Sequence, residues 1–291
     1  MMPEGEDIRW TSEDGLELYA KSYGPTDARL TVLCLHGLTR NHKDFEPMIA
    51  GLPGRFRFIS VDVRGRGQSA YDPEPKRYQP PVYARDMLGL LDRIGARRVA
   101  LIGTSMGGLI SILMIRKAPG RIAGIVLNDV GPVVEKAGLA RIAGYAGKVP
   151  PVTDWPSAAA AVRAINGPIF PQYADDDWMA VARRTYRETA DGQVQPDYDP
   201  NIAANLGKVK PGPVTTFVMW RMFGAAKKAP LLIVRGETSD ILSQETAARM
   251  VRRHGNAELV TVPGIGHAPF LDEPPASAAI SSFLSRLEAQ V

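Results

Sequence analysis

Gly103-Thr104-Ser105-Met106-Gly107 follows the apolar run Arg98-Val99-Ala100-Leu101-Ile102 and precedes a helical pattern that opens at Met106. A serine between a strand and a helix, with glycine two residues to either side, is the G-x-S-x-G nucleophile elbow in its proper context. The turn forces the serine into a strained backbone conformation, and its neighbours must lack bulk for strand and helix to close on each other. Ser105 Oγ is therefore expected above the end of a sheet. The helix that follows turns its first N–H groups and the positive end of its dipole towards any oxyanion formed there, which suits acyl transfer.

The motif gains weight from what lies downstream. Asp240 follows the apolar strand pattern Pro230-Leu-Leu-Ile-Val-Arg-Gly236, and His267 sits in Pro263-Gly-Ile-Gly-His-Ala-Pro269. Serine, then acid, then histidine is the chain order of one class of triad hydrolases. Two further motifs stand upstream: Leu35-His36-Gly37-Leu38 after one apolar run, and Asp62-Val-Arg64-Gly65-Arg-Gly67-Gln-Ser69 after the next.

On these motifs the chain resembles the α/β-hydrolase superfamily, in the branch of small serine esterases and carbon–carbon bond hydrolases that carry an inserted helical cap. The resemblance implies catalysis by Ser105, His267 and an acid, with an oxyanion hole formed by the backbone N–H groups of Leu38 and Met106. Asp240 is assigned as the acid. Asp129, in Leu127-Asn-Asp-Val-Gly-Pro132, also follows a sheet strand, at a position some superfamily members use, and stands as the alternative. Loss of turnover in Asp240→Asn but not in Asp129→Asn supports the first assignment, and the reverse transfers the role. Of the other histidines, His36 is expected to brace the oxyanion loop, His42 lies just beyond it, and His254 ends a helix before Gly255.

The apolar runs agree with an α/β fold. Ile8 to Ser12 and Leu16 to Tyr23, joined by Asp14-Gly15, predict an antiparallel hairpin at the sheet edge. Runs at 30–35, 56–61, 98–102, 122–127, 231–234 and 259–262 are nearly continuous in apolarity, as strands buried on both faces are, and they alternate with helical patterns. A mostly parallel, doubly wound sheet of about eight strands follows. The sheet is interrupted between Leu127 and Pro230, too long a stretch to lack structure of its own. Residues 1–131 and 212–291 are accordingly assigned to the core and 132–211 to a helical cap. Its helices are predicted after Asp154, over Asp176 to Glu188 and after Asp199. Trp178, Met219, Trp220 and Phe223, together with Phe217 and Met222, are candidates for a substrate pocket.

Composition excludes several function classes. The chain has 291 residues, 45% hydrophobic content and a net charge of +4, with basic residues scattered among acids, so nucleic-acid binding is not expected. Its opening, Met1-Met-Pro-Glu-Gly-Glu-Asp7, lacks the basic and apolar stretches of a signal peptide, and no transmembrane run is present; a cytoplasmic protein is expected. The single cysteine, Cys34, excludes an intrachain disulfide and reads as a buried strand residue. Gly65-Arg-Gly67-Gln-Ser-Ala70 fits a dinucleotide fingerprint but leads into Tyr71-Asp-Pro-Glu-Pro75 instead of a helix, so no nicotinamide or flavin is expected. Asp175-Asp176-Asp177 reads as a helix start and not as a metal site. No cofactor is predicted.

The leading expectation is a serine hydrolase of carboxylic esters with small or medium hydrophobic acyl groups, acting through an acyl-enzyme. Two alternatives remain: a carbon–carbon bond hydrolase of ring-cleavage diketones, and a small-molecule receptor on a hydrolase fold. The first of these expects a tryptophan after the histidine where this chain has Ala268-Pro269-Phe270.

Overall fold

Ten strands and nine α-helices are formed in a computed structural model that describes residues 4–148, 152–205 and 212–290. The order is β1 (Gly5–Thr11), β2 (Glu17–Tyr23), β3 (Thr31–Leu35), α1 (Glu46–Gly51), β4 (Arg57–Asp62), α2 (Pro80–Arg93), β5 (Val99–Thr104), α3 (Met106–Lys117) and β6 (Ile122–Asn128). There follow α4 (Lys136–Tyr145), α5 (Trp155–Asn166), α6 (Asp175–Thr185), β7 (Tyr186–Glu188), β8 (Val194–Pro196) and α7 (Pro213–Phe223). The chain closes with β9 (Leu231–Gly236), α8 (Gln244–His254), β10 (Ala257–Val262) and α9 (Pro274–Glu288).

Eight strands form one sheet in the order β1-β2-β4-β3-β5-β6-β9-β10. The β1–β2 hairpin and the β2–β4 pair are antiparallel, and every other pairing is parallel. The near-continuous apolar runs are explained by burial on both faces: along β3 and β5, Leu33, Leu35 and Leu101 enter one core while Val32, Cys34, Ala100 and Ile102 enter the other. Cys34 is fully buried, and desolvation pushes its thiol pKa far up, which leaves it inert.

The elbow strand β5 lies in mid-sheet between β3 and β6, and two contacts explain its glycines. A Cβ on Gly107 would stand 1.9 Å from the carbonyl oxygen of Leu35, and one on Gly103 would stand 2.5 Å from the backbone of Gly107. The dinucleotide-like turn is built around Asp62, whose carboxylate accepts from the backbone N–H groups of His42 and Gln68; Gly67, at φ 54°, leaves it room. Asp62 does not pair locally with Arg64. It faces the His42 ring, while Arg64 makes five hydrogen bonds to Asp14, Asp72 and Asp86.

The described residues of 132–211, the predicted cap, hold α4, α5, α6 and the β7–β8 ribbon, and α7 follows before the sheet resumes at β9. Asp154 caps α5 by accepting from Ser157 N–H, and Asp199 accepts from Asn201 N–H at a short 3-10 turn. The helix expected over 176–188 stops at Thr185, because Tyr186–Glu188 pairs with Val194–Pro196 instead. The inserted segment is tied to the core turn: Gly67 N–H donates to Asp197 O, and Asp199 N–H donates to Gly65 O. The segment's predicted end at 211 and the first three residues of the chain opening lie outside the described residues. No described helix is long and apolar enough to cross a membrane.

Candidate active site

The carboxyl end of the parallel sheet gathers the reactive groups. Ser105 caps β5 at φ 50°, a conformation non-glycine residues rarely adopt, and its Oγ lies 3.1 Å from Nε2 of His267. Nδ1 of the same ring lies 2.7 Å from Oδ2 of Asp129. Asp129 directly follows β6, the neighbour of β5, and is itself held at φ 54°. It is fully buried, and it also accepts from Gly236 N–H at 3.0 Å and from Ser239 Oγ. A carboxylate with every partner supplied fixes the imidazole with its proton on Nδ1, leaving Nε2 free to accept from serine.

The structure thus brings Asp129, the alternative, to the histidine in place of Asp240, the acid expected from sequence. Asp240 makes a bidentate pair with Arg141 of α4 at 2.7 and 2.8 Å, and that guanidinium holds its carboxyl below the usual range. Its backbone carbonyl also accepts from Gly138 N–H. The residue fastens the inserted segment to the loop after β9 and leaves the histidine to Asp129. The distinction lies in chain distance from the sheet. Asp129 comes one residue after its strand, whereas Asp240 comes four residues after Gly236.

Leu35-His36-Gly37-Leu38 lies beside the elbow, and Gly37, Leu38 and Thr39 share a cavity with Ser105 and His267. His36 is fully buried; its Nδ1 lies 2.6 Å from Gly37 O, and its Nε2 accepts from Val63 N–H at 3.1 Å. Burial lowers its pKa to about 4, so it braces the loop as a neutral ring. Arg66 joins this loop to the elbow. From a fully buried position it donates to Leu38 O at 3.0 Å, to Arg64 O and to the Tyr83 hydroxyl, and it contacts Met106 Sδ at 3.6 Å. Sequence reading missed Arg66 because it lay within a stretch weighed only as a family motif and a dinucleotide fingerprint.

The four aromatic and methionine pocket candidates do not line this cavity. Trp178 stands in a second row: it packs on Tyr173, which stacks on Phe170 and Phe270, and of these it is Phe270 that lines the cavity. Met219 and Phe223 line a separate small cavity against α3 with Gly108 and Ile112, and Trp220 is buried under Arg249 and Arg253. Met222 lines that same separate cavity, and Phe217 is exposed. The reason is the placement of α7, which packs on α3 and away from the serine. Around Ser105 the lining mixes the polar side chains of Thr39, Arg40, Asp44, Tyr145 and Asn166 with the apolar ones of Leu38, Ile142, Pro269 and Phe270. A second cavity continues from it past Thr185, Tyr186 and Tyr198, sharing Thr39, Arg40, Tyr145 and Asn166. Each is about 50 Å³, room for a few water molecules.

Comparison with known proteins identifies the family. A family model described as the alpha/beta hydrolase family matches residues 32–280. The chain is 34% identical over 263 residues to a 3-hydroxybutyrate-oligomer hydrolase of Cupriavidus necator, covering 88% of each chain. It is 27% identical over 252 residues to a 2-(acetamidomethylene)succinate hydrolase of Mesorhizobium japonicum, covering 87% of this chain and 84% of that one. Among solved structures, an alpha/beta hydrolase from Novosphingobium aromaticivorans superposes with a TM-score of 0.90 at 44% identity, over 100% of both chains. With the eight-stranded sheet and the serine elbow at its centre, these matches establish that the chain belongs to the α/β-hydrolase family and is an enzyme of the hydrolase class.

Proposed function

We propose that the protein hydrolyses carboxylic esters through an acyl-enzyme on Ser105, and that its substrates are short oligoesters of hydroxy acids. The observation that carries the reading is the continuous hydrogen-bonded relay from Ser105 through His267 to Asp129, set in a strained elbow at the foot of a cleft. As Ser105 Oγ attacks the ester carbonyl, His267 Nε2 takes its proton, and Asp129 stabilises the imidazolium. The oxyanion is received by the backbone N–H groups of Leu38 and Met106, each worth about 3 kcal/mol in the transition state. Collapse expels the alcohol, which takes the proton from His267. Water, activated by the same ring, then releases the acid.

The polar part of the lining supports an oligoester over the simple hydrophobic acyl group expected from sequence, because Thr39, Tyr145 and Asn166 offer hydrogen bonds along the cleft beside the apolar Ile142, Ile165 and Phe270. An oligomer of 3-hydroxybutyrate, named for the Cupriavidus relative, is a chain of such esters ending in a hydroxyl and a carboxylate. Segment 132–211 serves as the lid, since Ile142 and Tyr145 of α4 and Asn166 of α5 contribute to the cavity walls beside Ser105.

The test is release of monomer from 3-hydroxybutyrate dimer and trimer, alongside nitrophenyl butyrate, by wild type and Ser105→Ala. Wild type is expected to cleave them and the variant to fall by about 10³-fold or more. Absence of wild-type turnover on all three, or activity surviving in Ser105→Ala, overturns the reading.

A further inference from the structure

Three arginines in the loops after β3 and β4 fall into two kinds, Arg64 and Arg66 fully buried and Arg40 half-buried. Arg64 and Arg66 are saturated, the first by five hydrogen bonds to carboxylates and the second by two carbonyls, a tyrosine and a methionine sulfur. Arg40 is not. Its side chain is 17% exposed and lies over the Phe270 ring at 4.9 Å. Its one ionic contact among the described residues is Nη1 to Asp44 Oδ1 at 3.5 Å, and neither of those two buried atoms has a hydrogen-bond partner. Nε and Nη2 likewise donate to no described residue.

The position of this unsatisfied guanidinium is specific. Arg40 lines both the cavity that holds Ser105 and the one that continues towards Tyr198, so it stands where the two meet. Apart from His267, it is the only basic side chain among their described lining residues. Asp44 faces it at 3.5 Å without a hydrogen bond, and burial raises the Asp44 pKa against the pull of Arg40 and Arg184. Arg184, which also stacks on Phe270, has Asp272 as a second acidic neighbour. A planar fork with unused donors at the wall of a cleft matches a carboxylate, which accepts two of them side by side.

We propose that Arg40 binds a carboxylate carried by the substrate and so selects anionic esters, with the scissile carbonyl held at Ser105 and the acid end at the junction of the two cavities. The proposal rests on the ester-hydrolase reading for its reaction but not for its binding. It places cleavage a fixed distance from the acid terminus of an oligoester.

The test compares 3-hydroxybutyrate dimer with its carboxamide, which keeps the ester and the shape and removes the charge. The quantity read is the ratio of kcat/KM for acid over amide, which a partly unfolded preparation does not alter. Wild type is expected to favour the acid by about tenfold or more, equivalent to about 1.4 kcal/mol. Arg40→Gln is expected to bring the ratio to about one, chiefly through KM for the acid, and Arg40→Lys to restore part of it. A wild-type ratio near one, or a parallel loss on both substrates in Arg40→Gln, overturns the proposal. Calorimetric binding of both compounds to Ser105→Ala and to Ser105→Ala/Arg40→Gln needs no turnover. Preference for the acid only where Arg40 is present sustains the proposal even if the ester reading fails, and equal affinities refute it.

Discussion

Replacing Asp129 by asparagine changes one atom of a carboxylate that has three partners. Gly236 N–H, 3.0 Å from Oδ1, selects the amide oxygen for that side and turns the NH₂ towards His267 Nδ1, 2.7 Å from Oδ2. An NH₂ there donates, so the imidazole is forced to carry its proton on Nε2, and the ring then donates to Ser105 where it should accept. The base is lost while the nucleophile, the oxyanion donors and the cleft remain. The expected cost is about 10³- to 10⁴-fold in kcat, or about 4–5.5 kcal/mol, with little change in KM. Asp240→Asn is the control. Its pair with Arg141 is about a third exposed, so its removal is expected to cost about 0–1 kcal/mol of stability and about twofold in rate. The assay is nitrophenyl butyrate hydrolysis by both variants, with circular dichroism confirming the fold. A collapse in Asp240→Asn together with near-normal turnover in Asp129→Asn would refute the relay.

Two further outcomes follow from the buried groups behind the site. Arg66→Met strips donors from Leu38 O and Arg64 O, so a loss of about 1–3 kcal/mol in stability is expected for each carbonyl left unpaired, with kcat falling more than KM rises; unchanged kcat would show that the oxyanion loop does not depend on it. His36 titrates near 4 when folded, chiefly through burial, against about 6.5 unfolded. The folded state binds the proton less readily, so the stabilisation is present above pH 6.5 and drains as pH falls towards 4, by up to about 3 kcal/mol. Urea midpoints at pH 7.5 and 4.5 should diverge more in wild type than in His36→Gln, and equal divergence would remove His36 from the acid sensitivity.

The sheet was legible because its signal is local. Runs such as Leu30 to Leu35 and Ile122 to Leu127 state their own burial, and glycines flanking Ser105 state the close approach that Leu35 O imposes. Ser105 and His267 were legible for the same reason, each marked by a short motif at a strand end. The acid was not, since Asp129 and Asp240 both follow sheet strands, and what separates them is that α4 brings Arg141 to one while β6 aims the other at the histidine. The pocket was the least legible part. Aromatic content suggested α7 and Trp178, yet the cleft is made by helix ends and a loop, and Arg40 reveals itself only through donors left without acceptors in three dimensions.

The central claim is that Ser105 is an activated nucleophile. Labelling with a fluorophosphonate, read by intact mass and peptide mapping, tests it without knowledge of the substrate. Wild type should take up one phosphonyl group on Ser105, Asp129→Asn should label far more slowly, and Ser105→Ala should stay unmodified. Failure of wild type to label, or an adduct on another residue that persists in Ser105→Ala, would contradict the account.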